Sequence, residues 1–321
     1  MQPLHPMLGR AFAHLQAGRN AEAIVLINQL AAQGEPEALF TLAKEKWRGG
    51  FLAQDMVQAR ELFGRAAEAG HPAASIFSTN LLASGIAGPG DWPRALKRLR
   101  EEARPDPRRR QILSLIERMK LTPEGDPPAL PQGRALSDAP QVTLFPRLFS
   151  AAECDYLVQA DGPTLQPSMV IDQTSGRDIP DPIRTSDGAI IPWLIEDPAI
   201  HALNRRIAAA SATSVEQGEP LQILRYRPGQ QYRNHFDFVP GAENQRMLSA
   251  LVYLNDGFQG GATHFVRTGL KVKGRKGDAV VFRNLGADRS ADLLSEHAGM
   301  PVTSGTKFLA SRWIRERRHV P

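Results

Sequence analysis

Residues 225–238 read RYRPGQQYRNHFDF and place an imidazole and a carboxylate two positions apart, at His235 and Asp237. The stretch reads as a strand interrupted by a Pro-Gly turn, and side chains at positions i and i+2 of a strand point to one face. Two such groups are either a solvated surface pair or two ligands of one metal ion. Imidazole and carboxylate suit Fe(II), for which two histidines and one carboxylate leave three coordination positions open.

A third ligand is expected further along the chain. Most of the histidines lie in predicted helices or at the tail, which leaves His264 and His297. His264 follows Thr263 on a predicted strand, so its side chain should point away from the site and serve a structural role. Ten residues after His297 comes Lys307, within the strand-like segment GTKFLA. A buried ammonium group must be paired, and a bound dicarboxylate would pair it.

The sequence around these residues predicts a β-rich domain over 141–321. Short apolar stretches alternate with turns, which favours a sandwich or barrel. Two helices are expected near 150–160 and 197–212. The predicted architecture is a β core flanked by helices, behind an α-helical repeat domain.

Six ordered stretches between 183 and 314 carry a family resemblance. They are IRTS at 183–186, LQILRYRPGQQYRNHFD at 221–237, RMLSALVYLND at 246–256, GGATHF at 260–265, KGDAVVF at 276–282 and EHAGMPVTSGTKFLASRWI at 296–314. Together they resemble the prolyl 4-hydroxylase branch of the 2-oxoglutarate- and Fe(II)-dependent oxygenases. The resemblance implies a double-stranded β-helix, or jelly roll.

The resemblance also implies a role for each matching residue. His235, Asp237 and His297 are similar to the iron ligands, and Lys307 to the residue that pairs with the distal carboxylate of 2-oxoglutarate. The remaining expected site residues are Tyr226 and Thr263 as hydrogen-bonding helpers for 2-oxoglutarate, Tyr232 and Arg246 on the peptide side, and Trp313 near the iron. The sequence departs from the family at Ala262, where glutamate is common, and at Phe308, where tryptophan often follows the lysine.

The reaction implied by the resemblance is hydroxylation of a residue, foremost proline, in a protein or peptide. It consumes O2 and 2-oxoglutarate and releases succinate and CO2, with ascorbate as a further expected cofactor. Two alternatives stay open on the sequence alone. One is a non-catalytic interaction protein with a retained oxygenase scaffold, and the other is hydroxylation of a small molecule such as a free amino acid.

The first part of the chain, 1–120, shows an internal repeat. The segment from Gly34 to Gly70 and the segment that begins at Gly70 match at an offset of 36 residues, including Pro36 with Pro72. A period in the thirties is typical of stacked helix-turn-helix units. The pattern resembles Sel-type repeats, relatives of the tetratricopeptide repeat. Such arrays usually bind proteins and would recruit the substrate here; the alternative is a packing scaffold that braces the second domain.

Two segments have the composition of loops. Residues 121–140 contain five prolines and two glycines and are predicted to be a linker or an extended crossing segment. Residues 172–188 are polar and too long for a tight turn, so they are either a surface loop or a lid that orders over substrate.

Composition excludes several classes of protein. The single cysteine, Cys154, cannot form a disulfide within the chain, which indicates a reducing compartment, and we expect it to be buried. No window has the apolar length of a signal peptide core or a membrane span, so a cytoplasmic protein is expected. The net charge of +5 is concentrated in short runs such as 104–110, where no aromatic residues are interleaved, so nucleic-acid binding is disfavoured.

Overall fold

The computed structural model of the protein describes residues 5–161, 165–171 and 178–319. The described chain divides into two compact units. One contains the residues up to Leu113 together with Trp193–Pro198, and the other contains Ser114–Pro192 and the residues from Ala199 onward. No described helix combines the length and apolar character that crossing a membrane requires.

The first unit is built from helices that pack against their neighbours along the chain. Each helix from the first to the fifth packs against the next one. The helices of this part of the chain are α1 (Pro6–Gln16), α2 (Asn20–Ala32), α3 (Pro36–Arg48), α4 (Met56–Glu68), α5 (Pro72–Ser84), α6 (Trp92–Glu102) and α7 (Pro107–Met119).

The predicted repeat is confirmed by the helix starts and their caps. Helices α3 and α5 begin 36 residues apart, at residues 36 and 72, and α4 and α6 do the same, at residues 56 and 92. Pro36 and Pro72 occupy the first turns of their helices, where proline costs no hydrogen bond. Asp55 and Asp91 cap α4 and α6, because each carboxylate accepts a hydrogen bond from a backbone N–H of the first turn.

The second unit contains two main antiparallel sheets, flanked by α8 (Ala151–Asp161) and α9 (Pro198–Ala210) close to the predicted positions. The larger sheet has the order β1-β2-β13-β9-β16-β7-β6-β3, and the smaller has the order β12-β11-β14-β8. The strands are β1 (Arg134–Asp138), β2 (Gln141–Phe145), β3 (Gln166–Pro167), β4 (Met169–Ile171), β5 (Asp178–Pro180), β6 (Asp187–Ile190), β7 (Gln222–Tyr226), β8 (Tyr232–His235), β9 (Arg246–Tyr253), β10 (Phe258–Gly260), β11 (Thr263–Phe265), β12 (Lys271–Val272), β13 (Ala279–Arg283), β14 (His297–Gly299), β15 (Val302–Gly305) and β16 (Lys307–Arg315).

The two sheets enclose one apolar core. Leu251 and Phe282 from the larger sheet and Phe265 and Val272 from the smaller one belong to the same buried cluster. Inward and outward residues alternate along β11, where Thr263 and Phe265 are buried on either side of a half-exposed His264. The prediction of a jelly roll that follows a helical repeat along the chain is therefore confirmed.

The segment predicted to be a linker contributes to the larger sheet. Strand β1 lies within 121–140 and pairs with β2 through the register Arg134 to Leu144 and Asp138 to Gln141. The prolines of the segment precede β1 or follow it, so they remove no N–H group from this ladder. The β domain therefore begins before residue 141.

Cys154 lies on α8 and is fully buried, as the sequence predicted. Its thiol contacts the backbone oxygen of Tyr253 at 3.9 Å. Burial raises the pKa of Cys154 to about 12, so the side chain remains a neutral packing group.

Candidate metal centre and cosubstrate pocket

The three predicted metal ligands meet at one point between the sheets. His235 ends β8, and His297 begins β14 directly opposite it in the sheet register. Asp237 lies two residues beyond the end of β8, so it reaches the site from the following bend and not, as the i and i+2 argument expected, from the strand itself. His235 Nε2 lies 3.6 Å from Asp237 Oδ1, and His297 Nε2 lies 3.8 Å from Asp237 Oδ2. The ligand atoms all lie within 4.8 Å of one another.

Backbone contacts orient both imidazoles. His235 Nδ1 lies 2.8 Å from the Arg233 carbonyl oxygen, and His297 Nδ1 lies 3.0 Å from the Ser295 carbonyl oxygen. A carbonyl can only accept, so each Nδ1 carries the proton and each Nε2 keeps its lone pair for a metal ion. The donor set and its orientation fit a 2-His-1-carboxylate metal site.

The charge states also suit a cation. Burial lowers the pKa of His297 to about 4, so this ring is neutral at physiological pH. Burial alone would raise the pKa of Asp237, but contacts that include the hydrogen bond from the Ser249 hydroxyl outweigh it and hold that pKa well below its usual value. A buried carboxylate beside two imidazoles is thus ionised, and a divalent cation would balance it.

A register shift on β8 places Tyr232 beside the metal ligand His235. Tyr232 pairs with Gly299 and His235 pairs with His297, so three residue steps on β8 face two on β14. This extra residue brings Tyr232 and His235 to the same side, where their rings stack with centroids 3.5 Å apart. Burial raises the pKa of Tyr232 to about 12, so its phenol stays protonated.

A cationic pocket adjoins the metal ligands. Lys307 begins β16, is 2% exposed and donates from Nζ to the Gly261 carbonyl oxygen at 2.8 Å. Its Nζ also lies 5.4 Å and 5.2 Å from the ring centroids of Tyr226 and Tyr253. Within the described residues no carboxylate pairs with it, and burial, reinforced by Lys273, lowers the pKa of Lys307 to about 7. An ammonium group in this position requires an anionic ligand.

One cavity is lined by all the predicted site residues except Arg246. Tyr226 is buried, and Thr263 Oγ1 lies 3.1 Å from the Tyr253 hydroxyl. Arg246 instead forms two hydrogen bonds with Glu219, at 2.7 and 2.9 Å. Its guanidinium lies 3.6 Å from the Trp313 ring centroid, so it stacks on the indole that lines the cavity. The roles assigned to these residues from the resemblance stay predictions.

Sequence reasoning missed several residues of the site. Arg184 and Leu251 line the cavity, and Tyr253 lies against Lys307. Ser249, fully buried on β9, donates a hydrogen bond to Asp237 Oδ2. A polar residue at an inward position of an apolar strand is the signal that could have identified it.

Two further predictions concern residues outside the cavity. His264 points to the opposite face of the smaller sheet and lines a separate surface groove, as predicted. The segment predicted to be either a surface loop or a lid covers 172–188, of which residues 172–177 lie outside the described residues. In the rest, β5 pairs with β4, and the Ile183 carbonyl accepts a hydrogen bond from the backbone N–H of Arg233.

The chain is similar to several known proteins. Residues 221–315 match the model of the 2OG-Fe(II) oxygenase superfamily. The chain is 35% identical to prolyl 4-hydroxylase 1 of Arabidopsis thaliana over 201 residues, which cover 57% of this chain and 71% of that protein. The viral collagen prolyl hydroxylase of Paramecium Bursaria Chlorella virus-1, solved as a 2OG complex, is 27% identical with a TM-score of 0.44, covering 56% of this chain and 98% of that one. A Sel1 repeat protein from Oxalobacter formigenes is 21% identical with a TM-score of 0.32, covering 34% of this chain and 85% of that one.

Proposed function

This chain belongs to the prolyl 4-hydroxylase family of 2-oxoglutarate- and Fe(II)-dependent oxygenases, and we propose that it hydroxylates a prolyl residue within a protein or peptide. The reaction converts a C–H bond, O2 and 2-oxoglutarate into a C–OH group, succinate and CO2. One oxygen atom enters the substrate and the other enters succinate, so the two electrons that O2 needs beyond the C–H bond come from the oxidised cosubstrate.

The observation that carries the proposal is the buried Lys307 beside the metal ligands. Its ammonium group lines the same cavity as His235, Asp237 and His297 and has no carboxylate partner in the described chain. A dicarboxylate that pairs one end with Lys307 would turn its other end towards these ligands. A charge-assisted pair of this kind is about twice as strong as a neutral hydrogen bond.

The residues of the chain divide the remaining work between them. Fe(II), when bound by the three ligands, supplies the activation of O2 for C–H hydroxylation. Tyr226 and Thr263 present hydroxyl groups that orient the cosubstrate, and the burial of the cavity excludes water from the reacting groups.

The substrate side of the site suits a peptide. Trp313 Nε1 is buried and has no hydrogen-bond partner in the described structure, and a peptide carbonyl would satisfy this donor. Stacking against Arg246 keeps the indole in place.

We expect Fe(II) and 2-oxoglutarate to support turnover of prolyl peptides. Succinate release is measured alongside peptide mass, and a peptide gains the mass of one oxygen only when it contains proline. Peptides with alanine in place of proline and the variant His235→Ala are the controls. Turnover of free amino acids without peptides would instead favour the small-molecule alternative, and no succinate with any substrate would favour the scaffold.

We further propose that the helical repeats recruit a substrate protein. Val25 on α2 and Val57 on α4 expose more than half of their surface, so both are available for contact with a partner. Introducing aspartate at both positions is expected to lower kcat/KM about 10-fold on a whole substrate protein, a loss of about 1.4 kcal/mol. The excised target peptide should be turned over as before, and an equal loss on both substrates would contradict recruitment.

Two finer proposals remain. Ascorbate would sustain turnover by returning inactive oxidised iron to Fe(II), which a comparison of long time courses with and without ascorbate tests. The single cysteine supports a cytoplasmic location, because the chain cannot form a disulfide of its own.

A further inference from the structure

We propose that Ser249 and Asn284 are positioning residues that fix Asp237 as a one-oxygen ligand of the metal ion. The inference rests on the metal dependence of the proposed function and not on the identity of its substrate. Ser249 Oγ donates to Asp237 Oδ2 at 2.5 Å, and Asn284 Nδ2 donates to Ser249 Oγ at 2.9 Å. Both residues are fully buried.

The directions of these two hydrogen bonds follow from the chemistry of the groups. The ionised Asp237 can only accept, so the single hydroxyl proton of Ser249 lies on the side of Oδ2. Ser249 Oγ must then accept from Asn284, which places the amide nitrogen of Asn284, and not its oxygen, against the hydroxyl. Asn284 thereby prevents Ser249 from turning its proton elsewhere.

Asn284 is itself held by the backbone on both sides. Its N–H donates to the Met247 carbonyl oxygen on β9, and its carbonyl oxygen accepts from the N–H of Asp292. The segment that contains Asp292 leads directly to His297. The hydrogen bonds of Asn284 therefore connect the strand that carries Ser249 with the segment that leads to His297.

These hydrogen bonds make the two oxygens of the Asp237 carboxylate different from each other. Each oxygen faces one imidazole, since Oδ1 lies 3.6 Å from His235 Nε2 and Oδ2 lies 3.8 Å from His297 Nε2, but Oδ2 in addition accepts the hydrogen bond from the Ser249 hydroxyl. When a metal ion is bound, one oxygen of Asp237 and one nitrogen of each histidine would hold it and would leave its remaining positions to the cosubstrate and O2. A carboxylate bound through both oxygens would take one of these positions, and the hydroxyl of Ser249 opposes that.

The test is anaerobic titration of the full-length apoprotein with Co(II), whose visible spectrum reports its ligand geometry. Loss of an outer hydrogen-bond partner costs about 10- to 100-fold in metal affinity, so we expect Ser249→Ala to bind Co(II) at least ~10-fold more weakly and with a shifted spectrum. Ser249→Thr keeps the hydroxyl and should restore both. Ser211→Ala removes a half-buried hydroxyl at the end of α9, far along the chain from the ligands, and should bind Co(II) like the parent protein.

Asn284→Ala removes the hydrogen bond that Ser249 Oγ accepts. It is the alternative test if Ser249→Ala fails to fold. It should weaken Co(II) binding by a smaller factor and shift the spectrum in the same direction. A lower melting temperature with unchanged Co(II) affinity and spectrum in the folded variants would overturn the proposal. Because the titration contains no peptide, this failure is separate from failure of the proposed function, which would appear as absent peptide turnover by the parent protein.

Discussion

We expect His297→Ala to lose iron binding and turnover and His264→Ala to keep both. The two residues belong to neighbouring strands of one sheet, since Phe265 pairs with His297 and His264 pairs with Ala298. Yet His297 points into the metal centre, whereas His264 points to the opposite face. Removing a ligand leaves two groups to hold the ion. We therefore expect the Fe(II) affinity to fall by more than the ~100-fold that is lost when a hydrogen-bond partner of a ligand is removed.

The measurement is Fe(II) binding under anaerobic conditions, followed by succinate formation from 2-oxoglutarate. The matched pair of histidine variants separates ligation from general damage to the sheet, because each substitution removes one imidazole from the same four strands. Iron affinity of His297→Ala within a few-fold of the parent protein would show that the three side chains do not form the metal site.

The sequence predicted that His235, Asp237 and His297 lie together, and the structure brings them together. Imidazole, carboxylate and a lone ammonium group among apolar residues have few structural explanations, and the ordered motifs around them restrict the fold. The helical repeat was equally accessible, since Pro36 and Pro72 mark the same position of successive units.

Other features depend on which strand or side chain lies opposite a residue in the fold, and a single sequence does not show this. The register shift that turns Tyr232 inward is visible only against β14, because a bulge is defined by the strand opposite. Ser249 is recognisable in the sequence as a polar residue on an apolar strand, but only the structure shows that its partner is Asp237. Strand β1 lies in a proline-rich segment whose composition favours a linker, and only its pairing with β2 makes it a strand.

Lys307→Met is expected to raise the KM for 2-oxoglutarate by ~100-fold or more. Removing one partner of a buried ion pair costs about 3–5 kcal/mol, and each 1.4 kcal/mol is a factor of ten. Turnover at saturating cosubstrate should fall less, because Lys307 lines the cavity without belonging to the metal ligands. Lys271→Met, which removes an exposed lysine from β12, is the control and should leave the KM unchanged. An unaltered KM in Lys307→Met would contradict the cosubstrate pocket.

The same lysine predicts a pH dependence whose sign can be worked out. Burial lowers the pKa of Lys307 to about 7 in the cosubstrate-free protein, against 10.5 for the free side chain. Above pH 7 the empty pocket loses its charge, so 2-oxoglutarate binding weakens as pH rises, and this dependence disappears in Lys307→Met. In the absence of 2-oxoglutarate the unfolded chain binds the extra proton between pH 7 and 10.5, so stability increases with pH through this window. The 2-oxoglutarate affinity and the urea-unfolding free energy are each measured across pH 6.5–9. We expect the affinity to fall and the stability to rise with pH, and a change of both in the same direction would contradict the assignment to Lys307.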